Sequence, residues 1–160
     1  MNEPDNLLER LLRCDVEFVV IGGFAAAAHG SRLDTQALAV CCRFTTENLL
    51  RLQEAVADLH AVHRMTPRRI PLALTPDACA GLQNLYLDTD LGQLDCLSRV
   101  LGVGEFDEVV GNSIELGLGA GSCRVLSLDA LIRSKEAMGR PRDREAAAQL
   151  KAIRERVGAQ

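Results

Sequence analysis

The sequence predicts an α/β (α+β) architecture, a small mixed β-sheet flanked by helices, on three observations. Short apolar, β-branched runs alternate with segments of helical periodicity. One period-two segment turns back on itself beside a glycine, as a hairpin does. Ser, Gly and Pro stand where helices start and stop in the last third of the chain. With 160 residues, the chain has the length of one domain, 1–160, with a sizeable core. Hydrophobic residues at 48% and charged residues at 25% are globular composition and argue against disorder.

Residues 6–13 place leucines at helical spacing behind Asn6, a candidate cap. Residues 16–21 form a short β-branched run that ends at Gly22-Gly23 and reads as a buried strand. An alanine-rich helix over 24–29 ends at Gly30, and a second strand covers 36–42. Thr46 is expected to cap a helix whose stripe is Leu49, Leu50, Leu52, Val56 and Leu59. Residues 64–84 carry three prolines and read as loop, with a short strand at 72–74. The hairpin pairs 85–90 with 93–97 across Gly92. A short helix over 106–110 precedes a glycine-rich loop at 117–121 and a strand at 123–126. Ser127 caps a helix that reaches Met138 and stops at Gly139, and Pro141 opens the last helix, with Ala147, Leu150 and Ile153 on one face.

Charge and composition exclude several function classes. Eighteen Lys and Arg against 22 Asp and Glu give a net charge of -4, the wrong sign for a coat on duplex nucleic acid. Aromatics at 3%, with no Trp, leave few platforms for base stacking. No apolar run approaches the roughly 20 residues that span a bilayer, and the acidic start Met1-Asn2-Glu3-Pro4-Asp5 resembles no targeting segment, so the expected compartment is the cytoplasm. The six cysteines (14, 41, 42, 79, 96 and 123) form no CxxC pair and no zinc spacing with His29, His60 or His63. They read as small buried hydrophobes in a reducing compartment.

The chemically informative stretch runs from Phe18 to Cys42. Strand, double glycine, short helix and second strand make a phosphate cradle: glycines let backbone approach a phosphate, and a helix start offers unpaired N–H groups. By pattern alone, a tight turn with close packing explains the same residues.

The wider motif resembles the minimal nucleotidyltransferases of the DNA polymerase β-like superfamily. Their signature is a hydrophobic residue, Gly, and Gly or Ser, then a spacer and Asp-hydrophobic-Asp. Here Ile21-Gly22-Gly23 is followed, after the spacer from Phe24 to Gln36, by Ala37-Leu38-Ala39. Ala25, His29-Gly30-Ser31 and Thr35 also sit where that family carries the same residues. Gly92-Gln93-Leu94-Asp95-Cys96-Leu97 resembles the strand of the third carboxylate, which points to Asp95. Residues 127–137 and 139–143 resemble the C-terminal helix-and-turn.

The resemblance implies a nucleotidyltransferase fold and an ancestral transfer of a nucleoside monophosphate from an NTP to a hydroxyl on RNA, protein or a small molecule. Relatives include toxin–antitoxin, phage-defence and antibiotic-modifying enzymes, so an antitoxin partner or a homodimer is among the implied assemblies. In the family three carboxylates hold two Mg²⁺ ions. Here Ala37 and Ala39 stand at two of those positions and Asp95 alone remains as a catalytic and metal-binding carboxylate. An alanine methyl cannot ligate Mg²⁺, so the metal site is expected to be disabled. The pattern fits a natural pseudoenzyme and equally a parent whose aspartates were replaced; relocation of the ligands to Asp34, Asp88 or Asp90 competes with plain solvated acids near a turn. The implied nucleotide-binding set is Gly22, Gly23, Ser31, Arg32, Lys135 and Arg140. Residues 64–69 hold a basic cluster that reads either as a solvated loop or as a contact for RNA or a nucleotide acceptor.

Overall fold

The N-terminal leucine stripe forms helix α1 (Glu3–Arg13), with Leu7, Leu8 and Leu11 fully buried. The computed structural model describes residues 3–32, 37–118 and 121–158, with side chains from Leu7 onward. The helix starts before Asn6, which therefore lies inside it and is no cap; Pro4 is compatible with a first turn, where its missing N–H costs nothing.

Strand β1 (Phe18–Ile21) leads directly into helix α2 (Gly22–Ala28), so the double glycine is the first turn of the helix and no separate loop precedes it. Strand β2 (Ala37–Cys42) and helix α3 (Thr46–Ala55) follow. Thr45, not Thr46, caps α3: its hydroxyl accepts from the Asn48 N–H, leaving Thr46 as the first helical residue. The buried Asn48 carboxamide in turn bonds Glu17 and Arg43 backbone, tying α3 to the strand ends. Next come β3 (Val62–His63), a one-turn helix α4 (Pro76–Cys79), and the hairpin of β4 (Asn84–Thr89) and β5 (Gly92–Leu97). The strand expected at 72–74 is instead β3 earlier in the chain, with a single bridge from Val62 to Pro71. A proline gives no ladder N–H, so that segment stays a bridge.

A two-stranded ribbon, β6 (Arg99–Val100) with β7 (Gly104–Glu105), precedes helix α5 (Phe106–Gly111). Strands β8 (Ser113–Leu118) and β9 (Gly121–Leu126) then pair in register. Gly117 and Leu118 belong to β8, which corrects the expected loop. The apolar positions of β8 are half-buried or exposed, so its pattern is weak in sequence. Helices α6 (Leu128–Met138) and α7 (Pro141–Gly158) begin and end as their Ser, Gly and Pro predict: Ser127 accepts from the Ala130 N–H, and Gly139 takes the left-handed turn at φ +71°.

The sheet order is β3-β4-β5-β2-β1-β9-β8. β1 runs antiparallel to β2 and parallel to β9, while β2 is parallel to β5, so the sheet is mixed. Period two divides it into faces. Val20, Leu38, Val40, Leu87, Leu94 and Cys96 point to one side and are inaccessible to solvent, with α1 packed against β2, β5 and β9 and against α3. Ala37, Ala39, Gln93, Asp95, Tyr86 and Asp88 point to the other and are only half-buried. On that second side α2 packs against β2 and α6.

All six cysteines are free thiols; five are buried and Cys14 is half-buried. Burial pushes the Cys41 thiol up to about 12, and a hydrogen bond with Cys96 plus burial raises that of Cys42. Neither is available as a thiolate nucleophile. Among the described residues no helix is long and apolar enough to cross a membrane.

Candidate functional site

The register across β1, β2, β5 and β4 assembles the site. Ile21 lies opposite Ala39, Ala39 opposite Asp95, and Asp95 opposite Tyr86. Ala37 lies beside Gln93, and Gln93 beside Asp88. Ala37, Ala39 and Asp95 therefore share one half-open face, as an Asp-x-Asp strand and its neighbour would require.

Asp95 is not a vacant ligand. Its Oδ1 accepts from the Arg64 guanidinium at 2.6 Å, with both side chains 20% exposed. Arg64 also donates to the Leu87 carbonyl at 3.1 Å and lies 5.7 Å from the centre of the Tyr86 ring. The adjacent Asp88 accepts from Arg69 at 2.5 Å. Two arginines of the basic cluster thus pair with the acids of the open face, Arg64 largely covered and Arg69 from the exposed rim. Asp90 sits in the turn beyond β4 and faces His60 at 2.6 Å, so it shares no strand face with Asp88. Asp34 and Thr35 lie outside the described residues. Among the described residues no group of three His, Cys, Asp or Glu side chains is arranged to hold a metal ion. Asp95 is already neutralised by the Arg64 guanidinium and the neighbouring Ala37 and Ala39 offer no oxygen ligand, so Mg²⁺ does not fit these residues.

Next to this face lies a cleft of about 370 Å³ whose lining includes Gly22, Gly23, Ser31, Arg32, Lys135 and Arg140. Residues from three segments of the chain thus meet in one cavity. Gly22 favours glycine because its φ is +67°, and an added Cβ would also sit tightly, 3.3 Å from the Cβ of Ala39. His29 does not enter the cleft; its Nε2 donates to the Leu126 carbonyl at 2.9 Å and pins the end of α2 to β9.

The far wall is the α6–α7 junction. Asp143 is 2% exposed and accepts from the Arg140 guanidinium at 2.5 and 3.2 Å, with Lys135 Nζ 3.8 Å away. It also accepts from the Arg140 backbone N–H, closing the first turn of α7. The Arg140 hydrogen bond, followed by the backbone bond and the charge of Lys135, holds the Asp143 carboxyl below the usual range. Asp143 therefore orients two cations while staying ionised. Sequence reading placed Asp143 in the C-terminal motif and Arg64 in the basic cluster but missed the role of each. The first was legible as an acid three residues after Arg140 at a helix start; the second acts across 31 positions of sequence, where no local signal exists.

With Arg32, Lys135, Arg140 and Arg142 around one buried acid, the cleft carries an excess of positive charge suited to a polyanion. A second cavity of about 410 Å³ adjoins it and shares Gly22, Leu131 and Lys135 as walls.

No known family profile matches the chain, and no curated protein matches it. Solved structures do. The solution structure of the antibiotic-resistance factor ANT(2'')-Ia superposes with a TM-score of 0.55 at 15% identity, covering 97% of this chain and 93% of that one. The crystal structure of ANT(2'')-Ia in complex with adenylyl-2''-tobramycin gives 0.55 at 16% identity, covering 96% and 98%. The likeness extends over nearly the whole of both chains, and it identifies the architecture described above as the nucleotidyltransferase fold.

Proposed function

We propose that this chain binds a nucleoside triphosphate in the cationic cleft and that metal-dependent transfer is disabled in it, making it a nucleotide-binding pseudoenzyme of the nucleotidyltransferase fold. The observation that carries the reading is the Arg64–Asp95 pair beside Ala39. A guanidinium stands where an active site needs a cation it can position against substrate, and two alanine methyls stand where it needs oxygen ligands. Loss of such charge stabilisation costs orders of magnitude in rate.

Binding needs no metal in this scheme. Gly22 and Gly23 let phosphate oxygens approach backbone, while Lys135 and Arg140, oriented by Asp143, donate charge-assisted hydrogen bonds. Arg32 adds a further cation to the lining, and Ser31 offers a hydroxyl. The adenylyl adduct held by ANT(2'')-Ia supports a nucleotide as occupant of a cleft in this fold. Where transfer chemistry survives in relatives, the acceptor is a hydroxyl on RNA, protein or a small molecule.

Isothermal titration with ATP tests the reading. Affinity is expected to be equal in Mg²⁺ and in EDTA, and to fall about tenfold in Lys135→Ala, the loss of one charge-assisted bond. Magnesium-dependent incorporation of labelled NMP into any acceptor by the unaltered chain overturns it.

A further inference from the structure

We propose that the second cavity is a nucleobase chamber, with the base lying over Ala39, where a metal-binding carboxylate would stand in an active transferase. The inference rests on the nucleotide reading above and assigns the part of the ligand that the cationic cleft leaves unaccounted for.

The chamber's chemistry differs from that of the cleft. Ile21, Ala39, Leu97, Leu126 and Met138 supply apolar walls, and the Tyr86 ring lines it from β4. No acidic side chain lines it, and its volume of about 410 Å³ is in the range of small-molecule sites. A base is a flat π-system with a few hydrogen-bonding edge atoms, so it needs apolar walls and a small number of polar groups. Asn84, Ser134 and Arg99 line the chamber and provide these. Lys135 stands at the junction, where a base-bearing ligand would pass its phosphates into the cationic cleft.

Ala39 decides the character of this space. In the sheet its methyl lies between Ile21 and Asp95, and it adds hydrocarbon to the chamber floor beside Ile21. A carboxylate at position 39 would bring a charge into that floor and demand solvation or a cation. The alanine therefore has a positive role: it converts a metal-binding face into a surface on which a base can lie.

The test compares ATP, GTP, CTP and UTP with inorganic tripolyphosphate by titration on the full chain in EDTA. At least one nucleoside triphosphate is expected to bind tenfold or more tightly than tripolyphosphate. Ala39→Asn, which adds a polar group without charge, is expected to abolish that difference, each nucleotide affinity being read against the variant's own tripolyphosphate affinity. Leu97→Ala, on the opposite wall, is expected to reduce the difference at least threefold, and circular dichroism verifies that both variants fold. Equal affinity for tripolyphosphate and all four nucleotides overturns the chamber while the phosphate cleft stands. Absence of binding by every probe removes both readings.

Discussion

The two faces of β2 and β5 are made from alternate residues of the same two strands, yet they perform different work. Leu38, Val40, Leu94 and Cys96 are sealed under α1, whereas Ala37, Ala39 and Asp95 look into a cleft. Stability and ligand chemistry are thus separated by one position of register. A change on one side can alter the cleft while the other continues to hold the fold.

The largest effect belongs to the sealed face. Leu94→Ala leaves a cavity between β5 and its helical cover and is expected to cost about 2–5 kcal/mol in chemical denaturation. A loss below about 1 kcal/mol, the scale of an exposed site, would break the contrast between the faces. On the open face, Arg64→Ala strands the Asp95 carboxylate and frees the Tyr86 ring; the expected cost is smaller, about 1–3 kcal/mol. The same change sharpens the metal comparison. Ala37→Asp/Ala39→Asp/Arg64→Ala is expected to bind Mg²⁺ by titration, and the double aspartate variant that keeps Arg64 to bind it at least tenfold more weakly, because the guanidinium competes for Asp95. Equal Mg²⁺ affinity in the two would remove Arg64 from the account.

The smallest effect lies on the exposed rim, where His60 meets Asp90. The Asp90 hydrogen bond, then its charge, raises the His60 imidazole above the ordinary histidine range of about 6.5. Its stabilising contribution is therefore complete below that range and is lost as pH rises through the higher folded value. An NMR titration should find the His60 midpoint above that of a model peptide, and Asp90→Asn should return it.

The elements most legible in the sequence are those with local causes. Ser127, Gly139 and Pro141 mark α6 and α7 because caps and breakers act within a turn, and the hairpin around Gly92 follows from period two. The cleft residues were legible through motif spacing, although their meeting depends on α6 and α7 folding back over α2. β8 was illegible because its side chains alternate weakly between half-buried and exposed. The pairing of Arg64 and Arg69 with Asp95 and Asp88 was illegible for another reason. A basic run looks solvated until the strand bearing its acidic partners is folded beside it.

The parallel pairing of β1 with β9 has a consequence for synthesis. β1 is made near the start of the chain, but its second neighbour follows about a hundred residues later, so during elongation β1 is an uncovered edge. Helices α6 and α7, which bring Lys135 and Arg140, emerge later still. The cationic cleft therefore needs the chain through α7, and a chain ending before Gly121 would carry Gly22 and Gly23 without Lys135 and Arg140. Any ligand of that cleft therefore reports that the chain has been made and folded through α7.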